Sequence, residues 1–449
     1  MTVVGLGIEG IDLVRFFAAR EAQVTVSDAR SAETLASSLD AIADTGATLS
    51  LGANRVEDAT GADYVYASQG VSQHLPALVA AREAGVPVSS MTALFMQLCP
   101  APIAAITGSS GKTTTTSLTG AMLEASGQDY VVGGNIGVGM LGLLEHIGPE
   151  TRVLLELSHT QLELVEQSPH VACVTNVTPN HLDRYSWDEY VGLKRRIFEF
   201  QSDDDIAVFN LDYEVTASWS AEARGRTLTT SMVRALPGDG VAVVGGDIVR
   251  FEAGHAHRVV GRDEIRLRGE HNVENVLSAI AVASQLGVSD EAAARAVRAF
   301  TGVEHRLEPV ATVAGVQYVN DSIATTPERT LAGIRSYTEP VVLLLGGRHK
   351  DLPTADLGRE AGARCRAVVT FGEAGALFAA AVRAAHRRGT PPIEMVETVA
   401  EAVRAASRLA QPGDVVLFSP AGTSFDAYAN FERRGAAFRA AVGALSGGA

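Results

Sequence analysis

The segment T-G-S-S-G-K-T-T, residues 107–114, has the residue types that hold a phosphate chain. It follows the strand-like run I-A-A-I and opens a helical stretch. Gly108, Ser109, Ser110 and Gly111 are small enough for backbone N–H groups and the helix N-terminus to face anionic oxygens. Lys112 adds a compact positive charge, and the hydroxyls of Thr113 and Thr114 follow, Thr113 in the position that can ligate Mg²⁺. The spacing is shorter than the standard Walker loop, with Gly108 three residues before Gly111 instead of five. The donor chemistry is the same, so the segment is expected to bind a nucleotide through its phosphates.

Two more strand-like runs end in groups that could join it. V-L-L-E places Glu156 at a strand end, and V-A-C-V-T-N-V-T-P-N leads into His181. Ligands of open parallel sheets gather at the carboxyl ends of strands, so the loop, Glu156 and His181 are expected to converge. Taken singly, Glu156 also fits a helix cap and His181 an ordinary loop residue.

Lysine usage gives a third pointer. Of 37 basic residues only Lys112, Lys194 and Lys350 are lysines. Ser186 and Glu189 form a capping-box pattern that starts a helix near Trp187. At 100° per residue, Trp187, Tyr190, Val191, Ile197 and Phe198 fall on one face, with Lys194 at its centre and Arg196 opposite. Such a lysine either snorkels to solvent or is buried with a depressed pKa as a reactive amine, which no guanidinium can be. A chain that uses arginine wherever simple charge suffices favours the second reading. Lys350 follows a strand and the turn G-G-R-H.

Near the N-terminus, G-L-G-I-E-G (5–10) satisfies G-x-G-x-x-G after a strand and before a helix. Asp28 ends the next strand, 18 residues beyond Gly10. This is the dinucleotide fingerprint in its proper setting, although a tight strand-to-helix turn alone would also produce it.

Positioning these groups requires parallel sheets. Short apolar runs alternate with amphipathic helical stretches along most of the chain, which predicts an α/β protein. Three zones each open on a strand and a glycine-rich turn. They suggest an N-terminal Rossmann-like domain (1–91), a central P-loop ATPase-type domain of parallel sheet and helices (92–302), and a C-terminal Rossmann-like domain (303–449). Alternating Gly and Val between residues 226 and 268 predict a small antiparallel patch in the central domain.

Length and composition agree: 449 residues exceed one ordinary core, and 46% hydrophobic with 20% charged residues describes a globular chain. A net charge of -15, spread along the chain, argues against nucleic-acid or anionic-membrane partners. Cys99, Cys173 and Cys365 are odd in number and share no close spacing, which suits a reducing cytoplasm. No signal-like n- and h-region precedes the first strand and no apolar run approaches ~18 residues, so neither export nor membrane insertion is expected.

Together these segments resemble the Mur ligases over essentially the whole chain, most closely the members that add glutamate. The matching pieces, in order, are GLGIEG, TGSSGKTT, GGNIG, LELSHTQLE, NVTPNHLDRY, the lysine helix, GEHNVENVLSA, GVEHRLE, NDSIATT, LLLGGRHK and SPAGTSFDAYANFERRG. The resemblance implies a cytoplasmic, monomeric ATP-dependent ligase of peptidoglycan precursor synthesis. It would join D-glutamate to UDP-N-acetylmuramoyl-L-alanine through an acyl phosphate. A carboxylate is a poor electrophile, so phosphorylation is needed, and cations must neutralise the transferring group. L-glutamate, another amino acid, or a non-catalytic nucleotide sensor are the alternatives.

By the same resemblance, Lys112 contacts the ATP phosphates and Thr113 helps hold one of two Mg²⁺ ions. Glu156 and His181 are metal ligands, and Lys194 is carbamylated by CO₂ to bind the second ion. Asn272, Asn275, Arg306 and Asp321 help bind ATP. The UDP sugar falls to Gly7, Ile8, Glu9, Gly10, Asp28, Arg30, Ser68, Gly70 and Asn135. Glutamate falls to Thr325, Lys350, Ser424 and Phe431, a cation being wanted for its carboxylates. Two positions depart from the family pattern. Ile323 stands where N-D-S-K-A-T has a lysine, and Arg348 occupies a position that is commonly acidic or neutral. Arg348 is therefore a candidate to replace the missing charge.

Overall fold

The computed structural model describes residues 1–135, 139–180, 184–350, 352–385 and 391–446. The chain divides into two compact units, Met1–Arg266 with Glu270–Phe300, and Leu267–Gly269 with Thr301–Ala449. Three sheets run through them, two in the first unit and one in the second.

The first sheet has five parallel strands, with Thr2–Val4 at its centre between Thr25–Asp28 and Val65–Ala67. Thr48–Leu51 and Val88–Ser89 form the edges. The glycine-rich turn leaves the central strand and enters the helix Ile8–Ala18, which buries Leu13, Val14 and Phe17. Gly10 has no room for a side chain, because a Cβ there would lie 2.1 Å from the Gly5 carbonyl oxygen. The third glycine of the motif thus permits close packing of helix on strand.

The second sheet has nine strands. Ile103–Thr107 lies between Arg152–Glu156 and Val171–Val174, all parallel, so three strand ends that carry candidate groups are neighbours. The expected antiparallel patch is present as Gly240–Val244, Asp247–Glu252 and His255–Gly261. Arg226–Ser231, inside the same stretch, instead pairs parallel with Ile206–Asn210. One apolar cluster joins the first sheet to the second, running from Val3 and Phe95 through Leu155 to Ile197 and Phe209. The other face packs under the helices Lys112–Ser126, Glu270–Gln285 and Asp290–Ala299.

The six-stranded sheet of the second unit is parallel except for Glu308–Val313, which pairs antiparallel with Val316–Asn320. Val415–Ala421 and Val341–Gly346 form its centre, buried on both faces. No helix among the described residues is long and apolar enough to cross a membrane.

Candidate active site

Thr107 ends its strand and Lys112 opens the next helix, with Gly111 between them in the left-handed region at φ 81°. A Cβ at Gly111 would lie 2.2 Å from Asn275 Oδ1, so only glycine lets the loop pass this side chain. The loop is held from the neighbouring strand end. Asn176 Oδ1 accepts from Ser110 N at 3.0 Å, and Thr175 Oγ1 donates to Ser110 O at 2.7 Å. Ser109 Oγ donates to Thr178 O at 3.0 Å and lies 3.0 Å from the Tyr190 hydroxyl. Lys112 arches back, its Nζ donating to Gly108 O at 2.9 Å. Thr113 is half-buried and Thr114 buried beside it. Thr115 donates to Asn275 Oδ1 at 3.4 Å, and Asn275 Nδ2 donates to Asn272 Oδ1 at 3.0 Å. The loop and both asparagines therefore form one assembly.

Lys194 is on the helix Trp187–Glu199, which starts at the expected capping box. Its side chain is 1% exposed, so it does not snorkel. Nζ donates to Thr107 Oγ1 at 3.0 Å, and that hydroxyl donates to Leu157 O at 2.6 Å. Burial, and then the charge of Lys112, push the amine well below its ordinary pKa, while the charge of Glu156 acts the other way. Arg196, on the opposite side, is half-buried and donates to the Leu162 and Val165 carbonyls at 3.0 and 2.7 Å. The helix is thus packed on two sides.

Glu156 is 1% exposed. Its Oε1 accepts from Asn135 Nδ2 at 3.0 Å, whereas its buried Oε2 has no hydrogen-bond partner. An orphaned carboxylate oxygen at the strand end next to the strand that leads into the phosphate loop suits a divalent cation, so the residues present fit such a group. His181, expected in the same set, lies outside the described residues.

In the first domain, Gly7 caps the helix Ile8–Ala18 and Ile8 is 56% exposed. Glu9 is turned inward: Oε2 accepts from Gln69 N at 2.6 Å and Oε1 from Gln161 Nε2 at 3.4 Å. Ser68 donates to the Gly5 carbonyl at 2.5 Å. A cavity beside it is lined by Glu9, Ser68, Gln69 and Gly70 together with Thr160 and Gln161 of the central domain. Asp28 is engaged within the protein. It accepts from Leu6 N at 2.8 Å and pairs with Arg30 at 2.6 Å. Burial alone would raise its carboxyl, but Arg30 and the N–H donors hold it down at about 2. Asn135, grouped with these residues by resemblance, donates to Glu156 Oε1.

In the second unit, Lys350 Nζ donates to Thr325 Oγ1 at 3.3 Å, bringing together two residues expected at the glutamate site. Ser424 is buried, and Phe431 opens the last helix, its carbonyl accepting from Ser322 Oγ at 2.8 Å. Asp321 is buried and accepts from Ser419 Oγ at 2.7 Å and Leu307 N at 3.2 Å. Burial raises its carboxyl to about 7. Arg306 stands between two residues in left-handed backbone, His305 at φ 62° and Leu307 at φ 42°. Arg348 pairs with Glu373 at 2.9 Å, which offsets its charge, and Ile323 is half-buried.

Sequence reasoning missed Thr107, Thr175, Asn176 and Gln69, whose partners depend on strand order. It also missed Arg434, fully buried and donating to Ser322 O at 2.8 Å and Gly422 O at 2.9 Å. The one available signal was the run T-N-V-T directly after a buried strand.

Three family models match the chain in order: the Mur ligase MurD-like N-terminal domain over residues 1–90, the Mur ligase middle domain over 106–283, and the Mur ligase glutamate ligase domain over 305–422. The chain is a Mur ligase. It is 41% identical over 447 residues to the UDP-N-acetylmuramoylalanine--D-glutamate ligase of Symbiobacterium thermophilum, covering 99% of this chain and 98% of that protein. The protein of the same name from Acetivibrio thermocellus is 37% identical over 451 residues, covering 99% and 96%. Among solved structures, the UDP-N-acetylmuramate-alanine ligase MurC of Thermotoga maritima aligns with a TM-score of 0.59 at 19% identity over 99% of both chains. MurF of Acinetobacter baumannii aligns with the same score and identity over 84% of this chain and 85% of that one. These two share the fold. Mur ligases form carbon–nitrogen bonds and depend on ATP and Mg²⁺.

Proposed function

We propose that this Mur ligase joins D-glutamate to UDP-N-acetylmuramoyl-L-alanine at the expense of ATP. The observation that carries the chemistry is the meeting, at neighbouring strand ends, of the phosphate loop, the unpartnered Glu156 oxygen and the buried Lys194 amine. The near full-length identity to proteins named for D-glutamate addition supports the choice of substrates.

The substrate carboxylate attacks the γ-phosphorus of ATP, the bond to the ADP oxygen breaks, and an acyl phosphate forms. Lys112 and the loop N–H groups hold the phosphates in line for this step. The glutamate amine then adds to the acyl carbon, loses a proton, and phosphate departs. Thr113 and Glu156, with His181, would hold Mg²⁺, which would supply charge neutralisation at the phosphate oxygens.

Lys194 completes the site as a carbamate. The neutral form of its amine, which burial and the charge of Lys112 favour, adds to CO₂ and releases a proton, giving an anion that attracts Lys112 and would hold a second Mg²⁺. In the second unit, Lys350 and Thr325 receive the glutamate side-chain carboxylate, with Ser424 and Phe431 beside them. Arg348, in an exposed pair with Glu373, is the candidate to replace the charge missing at Ile323.

A phosphate-release assay with ATP, Mg²⁺ and UDP-N-acetylmuramoyl-L-alanine, comparing D- and L-glutamate, tests this reading. Release is expected with the D isomer. Release with L-glutamate alone would move the assignment to the other isomer, and none with either would end it.

A further inference from the structure

Asp12 has no part in the functional reading, yet its surroundings are specific. It lies on the helix Ile8–Ala18, one turn beyond Glu9, on a helix whose apolar side is already committed to the first domain. Its carboxylate reaches into the central domain, where Oδ2 accepts from Leu141 N at 2.8 Å across 129 residues of sequence. That N–H opens the short 3-10 helix Leu141–His146, which has no side-chain cap of its own. Asp12 supplies the acceptor. The fit is close, because a Cβ at Gly139 would lie 2.4 Å from Asp12 Cγ. Burial raises the Asp12 carboxyl, and the N–H groups of Leu141, Met140 and Gly142 oppose that rise.

Asn135, which precedes Leu141 by six residues in the chain, donates to Glu156 Oε1 at 3.0 Å. Asn135 is therefore tied to the candidate metal ligand and Leu141 to the helix that opens on the glycine-rich turn. We propose that Asp12 is a positioning residue that sets the register between the GLGIEG turn and the Asn135–Glu156 pair, and through it the affinity for the UDP-linked substrate. The proposal rests on the reading of the site given above. The nucleotide sugar would touch both groups, so a slip between them would weaken its binding while ATP, held by the Lys112 loop and Asn275, is unaffected.

The test compares wild type, Asp12→Ala and Asp12→Asn by steady-state kinetics and by amide hydrogen exchange over residues 139–146. Asp12→Ala is expected to raise KM for UDP-N-acetylmuramoyl-L-alanine about tenfold, the loss of one charge-assisted bond, with KM for ATP unchanged. Asp12→Asn keeps an acceptor for Leu141 N and should stay within about twofold of wild type. An unchanged nucleotide KM in Asp12→Ala, an equal rise in both KM values, or failure of Asp12→Asn to rescue would overturn the proposal. If Asp12→Ala does not fold, Asp12→Glu, one methylene too long for the gap, should show the same selective rise, and an unchanged KM there would count against it. Absence of turnover in the wild type would remove the functional reading instead. Exchange would then decide, with protection lost in 139–146 alone supporting the role of Asp12 and protection retained overturning it.

Discussion

The two glycine-rich turns of the first unit are built alike and charged oppositely. Each follows a central parallel strand and opens a helix, and in each a glycine is fixed by a contact no side chain could share. At the phosphate loop the first helical turn carries Lys112 and no acid, and the framing groups, Thr175 and Asn176, are neutral. At GLGIEG the first turn carries Glu9, and Asp28 is closed off by Leu6 N and Arg30. A helix N-terminus attracts anions. At the first site that attraction is left for phosphate, and at the second the first-turn carboxylate of Glu9, bonded to Gln69 N and Gln161 Nε2, opposes an anion. The glycine spacing thus specifies a backbone path, and the charges around it specify the ligand.

The largest effect is expected where the phosphate-loop side is changed at Lys194. Lys194→Arg keeps a positive charge but cannot form a carbamate, so turnover should fall about 10³-fold or more. Full activity in this variant, measured by phosphate release, would end the carbamate reading. It would also remove the chemical distinction between the two turns. Next comes Gly111→Ala. Its φ of 81° and the Asn275 oxygen 2.2 Å from the new Cβ force the loop to shift, and a displacement of about 1 Å costs on the order of 10²-fold in rate. The loss should appear in kcat/KM for ATP while nucleotide-sugar binding, followed by calorimetry, survives.

Legibility in the sequence divides along the same line. Lys194 could be found because two local signals coincide, a capping box that fixes the helix phase and an unusual choice of lysine among arginines. The parallel strands and the antiparallel patch were legible because periodicity is local as well. Thr107, Thr175 and Asn176 were not, since their roles arise only when three strands, far apart in the chain, become neighbours. Asp28 illustrates the reverse. Its spacing from Gly10 singled it out as part of a nucleotide fingerprint, and spacing alone does not show that Arg30, two residues on, pairs with it. Arg434 and Asp12 were invisible for a further reason. A charged residue on an amphipathic helix defaults to solvent, and only the packed chain shows that one is sealed under the Ser322 loop and the other reaches into a second domain.

On the GLGIEG side, Gly10→Ala should act on stability first. The added Cβ meets the Gly5 carbonyl oxygen at 2.1 Å, backbone against backbone, so helix and strand must separate. A cost of about 1–3 kcal/mol is expected, read as a lower unfolding midpoint in urea. If stability is unchanged but nucleotide-sugar binding is lost, the glycine serves the ligand rather than the packing.

The smallest effect is expected for Glu9→Gln, and it bears most directly on the comparison. Burial raises the Glu9 carboxyl, with the N–H of Gln69 and the amide of Gln161 opposing and the charge of Asp12 adding to the rise. The amide variant keeps an acceptor for Gln69 N and removes the negative charge from the helix N-terminus. If Glu9 only opposes an anion at that N-terminus, KM for the UDP-linked substrate should change by no more than about threefold, the scale of a helix-dipole interaction. If the nucleotide diphosphate approaches this N-terminus, removing the charge should tighten binding much more, and the tightening should weaken as salt is added. A salt-sensitive gain would mean that GLGIEG is a phosphate site held in check by its own glutamate, and the two turns would differ in strength rather than in kind.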